Sequence, residues 1–96
     1  MRTYVIAQIK IHDRERYQRY LDGADAILAR YSGEVVAVDN ALTLFEGRWP
    51  YTRTVVIRFP AEQDAKRWYE SPEYQNLVQH RRQASEADIV LVQGRD

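Results

Sequence analysis

The chain has 96 residues, fourteen Lys+Arg against fourteen Asp+Glu, and no cysteine. That length suits one small domain, and the missing cysteines leave no disulfide framework, thiol nucleophile or Cys-ligated metal. Zero net charge lacks the clustered basic footprint of a nucleic-acid binder, and no apolar run approaches the ~20 residues that span a bilayer. A cytoplasmic globular protein, with neither nucleic acid nor membrane as partner, is therefore expected.

Thr3, Val5, Ala7, Ile9 and Ile11 share one face of an alternating stretch, and Tyr4, Ile6, Gln8 and Lys10 the other, the period of a strand. Asp13 is placed to cap the helix that follows with its carboxylate. Tyr17, Tyr20, Leu21, Ala24, Ile27, Leu28 and Tyr31 then recur at helical spacing. Gly23 inside that helix costs about 1 kcal/mol relative to alanine, which marks a close packing contact. Gly33 is expected to supply the left-handed stop.

Two strand-like stretches follow, Glu34–Asp39 and residues 41–46, with Asp39-Asn40 as a turn or bulge between them. After a loop over residues 47–52 comes a strand over Arg53–Phe59. A simple hairpin across that loop sets Glu46 against Arg53, Leu44 against Val55 and Leu42 against Ile57, each a sensible cross-strand pair. Pro60 ends the strand. Helical segments over Glu62–Glu70 and Pro72–Ala84 are separated by Ser71-Pro72, a hydroxyl cap followed by proline at the first helical position. The first of these segments starts at Ala61, which offers no cap. Residues 88–93 read as a last strand, apolar on both faces.

The order is β-α-β-β-α-β, the α+β ferredoxin-like arrangement: a four-stranded antiparallel sheet with helices on one face. An antiparallel sheet with one wet face alternates apolar with polar. Here Val56, Val90, Val92, Tyr4 and Ile6 make the second face apolar as well. A second copy packed sheet to sheet, giving a homodimer, is the simplest cover for it.

Metal and nucleophile chemistry find little support. His12 and His80 stand far apart without ligand spacing, and His80 adjoins Arg81 and Arg82. No GxSxG is present, and the four glycines are isolated. The strand over residues 53–59 lacks the aromatics of an RNA-binding sheet. What stands out are charges on faces patterned for burial. The apolar stripe Ala65, Trp68, Tyr69, Tyr74, Leu77, Val78 runs on to Arg81, and a buried guanidinium must pair or bind an anion. A structural ion pair, or an arginine laying its stem along the helix, is the alternative. Glu46 and Arg53 form either a cross-strand pair or the polar wall of a cavity. Tyr17, Tyr20, Tyr69 and Tyr74 lie on helical stripes, where converging hydroxyls line an apolar pocket or each serves as an ordinary core aromatic.

Arg53-Thr-Val-Val-Ile-Arg-Phe-Pro60, Trp68-Tyr-Glu-Ser-Pro-Glu-Tyr74, Arg81 and Leu91-Val-Gln-Gly94, with Tyr31-Ser-Gly33 and Phe45-Glu-Gly47, make the chain resemble the domain-of-unknown-function 1330 (DUF1330) family of the dimeric α/β-barrel superfamily. The resemblance covers nearly the whole chain; Ala61 departs from it, where such sequences often carry a serine cap. It implies a homodimer with two sheets face to face and, by fold-level analogy with cofactor-independent monooxygenases and small-molecule isomerases, a cleft between helices and sheet.

Two functions follow. In the first, the protein binds or acts on a small organic molecule in that cleft, with no metal or cofactor. Arg81 holds an oxyanion or carboxylate, Glu46 or a tyrosine moves a proton, and Arg53, Trp68, Tyr69, Tyr74 and Tyr20 form the binding wall. In the second it is a non-catalytic scaffold homodimer whose Glu46, Arg53 and Arg81 pair internally.

Overall fold

The computed structural model describes residues 1–96. Its elements run β1 (Thr3–Ile11), α1 (Arg14–Arg30), β2 (Glu34–Asp39), β3 (Arg53–Phe59), α2 (Glu62–Glu70), α3 (Pro72–Ala84) and β4 (Ser85–Gln93). The sheet order is β2-β3-β1-β4, antiparallel throughout. This is the ferredoxin-like arrangement with its second helix broken at Ser71-Pro72. The molecule is only 16 Å deep in its thinnest direction, so the sheet has one layer of helices and an open face.

Local chemistry sets the ends of these elements. Asp13 accepts the Arg16 N–H at 3.0 Å and opens α1, and the Ser71 hydroxyl accepts the Tyr74 N–H at 3.2 Å and opens α3. α2 starts at Ala61 without a side-chain cap. Gly23 lies at the α1–α3 crossing, where an added Cβ would stand 3.1 Å from Leu77 Cδ1. Two backbone N–H groups, of His12 and Asp13, donate to the Ala84 carbonyl at 2.9 and 3.1 Å. That junction ties the end of α3 to the start of α1.

Three expectations are corrected. The left-handed residue after α1 is Ser32 (φ 64°), not Gly33. Gly33 is required for space, because a Cβ there would stand 2.7 Å from Leu28 Cγ and 2.8 Å from Phe59 Cε1. Residues 41–46 form no strand. Asp39 Oδ1 accepts the Ala41 N–H at 2.8 Å, an Asx turn that carries the chain off the sheet edge. β3 therefore pairs directly with β2, Val38 facing Val55 and Asp39 facing Thr54, and the Glu46–Arg53 hairpin register does not form. Finally, β4 begins at Ser85, three residues before the expected start, because Ser85, Glu86 and Ala87 pair with the end of β1.

Val5, Ala7, Ile9, Val55, Ile57 and Phe59 point to the helices and form the core with Tyr17, Leu28, Trp68, Tyr74 and Val78. Tyr4, Ile6, Val56, Val90 and Val92 lie on the opposite face. Val90 and Val92 are 55% and 43% exposed. An Arg58–Glu34 ion pair (2.6 Å) borders this apolar surface. No helix is long and apolar enough to cross a membrane.

Candidate functional site

The helices do not seal the sheet. α1 stands off β1, β3 and the edge strand β2, leaving a cavity of about 460 Å³, within the roughly 300–1,000 Å³ range of small-molecule sites. Its wall is apolar apart from Gln18, Asp25, Arg53 and Arg81. Leu28, near the end of α1, and Val35 with its β3 partner Ile57 line it away from the start of β3.

The polar end is built where β1 runs into α1. Arg53 begins β3 opposite Ile9, on the helix side of the sheet, and its guanidinium carbon lies 5.9 Å from the Tyr17 ring. Arg81 is one turn before Ala84, the residue that ties α3 to the start of α1. That tether sets its guanidinium carbon 5.7 Å from the Tyr20 ring. Tyr17 and Tyr20 are one turn apart on α1, with ring centroids separated by 5.6 Å. The Tyr20 and Tyr74 hydroxyls share a hydrogen bond of 2.8 Å, and the Trp68 ring lies 4.3 Å from that of Tyr74.

Charge and hydrogen bonding at this end are unbalanced. The four ion pairs of the chain, Arg2–Asp96, Arg30–Glu73, Arg58–Glu34 and Lys66–Glu62, include neither Arg53 nor Arg81. Arg53 Nη1 donates to Asn40 Oδ1 at 3.3 Å. Arg81 is only 5% exposed, and three buried N–H groups on the cavity wall, Arg53 Nε, Arg81 Nε and Trp68 Nε1, have no acceptor. Burial of such donors ordinarily requires a partner.

Burial also pushes the Tyr20 hydroxyl well above the usual phenol range, reinforced by Tyr74 and opposed by Arg81. Tyr17 is raised by burial too, with Arg53 and Arg81 pulling the other way. Both hydroxyls keep their protons at neutral pH. One of the paired Tyr20 and Tyr74 hydroxyls donates to the other, so the pair still offers one free O–H. The cavity presents donors and positive charge, and its one lining carboxylate, Asp25, is exposed on α1. Nowhere in the chain do three His, Asp or Glu side chains gather as a metal-binding group.

Of the residues singled out from sequence, Arg53, Arg81, Trp68, Tyr74 and Tyr20 line this cavity. Tyr69 does not. It is 37% exposed on the outer side, where its hydroxyl accepts from Arg82 Nη2 at 3.5 Å. It borders a shallower depression shared with Arg81 and Ser85. Glu46 is exposed in the loop after β2 and does not reach the cavity. The lining also includes Tyr17, Gln18 and Asp25, of which the sequence pattern marks only Tyr17, since it shares the stripe of Tyr20 one turn away.

The family model described as "Domain of unknown function (DUF1330)" matches residues 2–95. Among solved structures, RPA0582 from Rhodopseudomonas palustris, a protein of unknown function, is 15% identical with a TM-score of 0.83, over 99% of this chain and 83% of that one. SnoaB from Streptomyces nogalater, a cofactor-independent oxygenase, is 12% identical with a TM-score of 0.73, over 99% and 94%. A dimeric ferredoxin-like protein of unknown function from Thermobifida fusca is 15% identical with a TM-score of 0.67, over 95% and 89%. At such identities the likeness is one of fold. No curated protein matches the sequence.

Proposed function

The chain belongs to the DUF1330 family, and on that premise we propose that it binds or acts on a small organic molecule in the cavity beneath α1. The observation that carries the reading is Arg81: 5% exposed, in no ion pair, and on the wall of a 460 Å³ cavity. A scaffold role would have Glu46, Arg53 and Arg81 satisfy one another, and Glu46 is in the exposed loop instead. The chemistry invoked needs neither metal nor nucleotide: guanidinium and hydroxyl donors hold the polar part of the ligand, and Trp68 and the aliphatic wall hold the rest. A cofactor-independent oxygenase among the structural neighbours is in keeping with such use of the fold.

We infer also that two copies pair through their open sheet faces. Ile6, Val56, Val90 and Val92 form an apolar centre bordered by Arg58–Glu34, and a neighbour of the same fold is described as dimeric. Such a patch is suited to a stable interface, which takes about 800 Å² from each partner. Native mass spectrometry of the purified protein tests both readings together. The expected species has twice the 11.3 kDa chain mass, with added mass removable by mild activation when ligand is retained. A strictly monomeric species at micromolar concentration would overturn the assembly.

A further inference from the structure

The cavity beneath α1 is bipolar, and its two ends specify different halves of a ligand. At one end, Arg53 and Arg81 flank the Tyr17–Tyr20 pair, and both line the cavity with a buried Nε that has no acceptor. At the other, Leu28, Val35 and Ile57 are apolar, and Asp25, one turn before Leu28, is exposed on α1. The start of α1 fixes this polarity, because the tether from His12 and Asp13 to Ala84 holds Arg81 against the first turns of α1. Leu28 lies about two turns further along the same helix.

Resting on the small-molecule reading above, we propose that the ligand is an apolar carboxylic acid, bound as its anion. Its carboxylate lies between Arg53 and Arg81, and its hydrocarbon body extends toward Leu28 and Val35. A planar carboxylate matches the guanidinium fork and can accept from both arginines at once. It supplies the acceptors that Arg53 Nε and Arg81 Nε lack and a negative charge at ion-pair distance, which neither arginine has within the protein. A phosphate ester fits less well. It brings up to two charges and three strong acceptor oxygens, and the site has no glycine-rich loop to add backbone donors. A neutral ligand would leave the buried Arg81 uncompensated, which low-polarity surroundings penalise. Trp68 Nε1 and the free hydroxyl of the Tyr20–Tyr74 pair supply further donors along the wall.

The test is calorimetric titration of the full chain at pH 7 with matched probes: benzoate against benzyl alcohol, and 2-naphthoate against 2-naphthylmethanol. Each acid is expected to bind at least tenfold more tightly than its alcohol, and Arg81→Met to erase that preference. Arg53→Met should reduce the preference in the same sense. Equal affinities for acid and alcohol would overturn the carboxylate assignment and leave the cavity reading standing. A preference that survives in both variants would place the anion elsewhere and overturn it too. If no probe of either size binds at millimolar concentration, the small-molecule reading itself falls, and this inference with it.

Discussion

Replacing Arg81 by methionine should make the ligand-free protein more stable, the opposite of what removing a structural arginine does. The residue is 5% exposed, Nε is buried without an acceptor, and no carboxylate lies within ion-pair distance. Methionine preserves most of the buried stem. What is lost is the cation's attraction to the Tyr20 ring at 5.7 Å, about 1–2 kcal/mol for a desolvated pair. What is recovered is an orphaned donor, about 1–3 kcal/mol, together with part of a guanidinium desolvation cost of several kcal/mol. The net expectation is a gain of about 1–4 kcal/mol, comparable to what replacing a buried ion pair by well-packed apolar residues can yield. For a chain of this size each kcal/mol raises Tm by about 4–8 °C. Calorimetric melting of both proteins at one fixed protomer concentration measures it. A loss of about 3–5 kcal/mol, as when one member of a buried ion pair is removed, would show instead that Arg81 has a structural partner.

Above pH 10 the folded protein should lose stability steeply, because burial raises Tyr20 and Tyr17 above the ordinary tyrosine value of about 10. The unfolded chain then releases protons that the folded chain retains, so this contribution is complete below pH 10 and declines above it. The slope is about 1.4 kcal/mol per pH unit for each tyrosine held protonated, and Tyr20→Phe should shed one share of it in urea unfolding curves. Gly33→Ala should cost about 1–3 kcal/mol through overpacking against Leu28 and Phe59. Gly23→Ala should be near neutral, since a helix-propensity gain of about 1 kcal/mol is offset by displacing the tip of Leu77. A melting curve for each distinguishes the two glycines. Val90→Lys, on the open sheet face, should yield a folded monomer by sedimentation with an unchanged circular dichroism spectrum; an unaltered dimer would move the interface elsewhere.

The element order was legible because each signal agreed with its neighbours: alternation in β1, the Asp13 cap and tyrosine stripe of α1, and Ser71-Pro72 restarting a helix. Residues 41–46 misled because their alternation fits a strand, while a single carboxylate, Asp39 bonding to Ala41 N–H, diverts the chain first. That error also misplaced Glu46, whose candidacy depended on the hairpin register. Gly33 was read for its backbone freedom, whereas the fold uses its lack of a side chain against Phe59, a contact distant in sequence. Arg81 could be singled out because a cation interrupted an apolar stripe. Its lack of a partner could not be read that way, since ion pairing depends on where every carboxylate of the chain finishes. Tyr17 was visible as a stripe residue, but its place beside the Arg53 guanidinium depends on where β3 begins, a position distant in sequence.

The central claim, that a small acid occupies the cavity against these arginines, is tested most directly by following arginine Nε–H resonances while 2-naphthoate is added. Saturable shifts of Arg53 and Arg81 are expected, with Arg81→Met removing one signal and weakening the response of the other. Shifts confined to surface arginines such as Arg14 and Arg95, growing linearly without saturation, would contradict it.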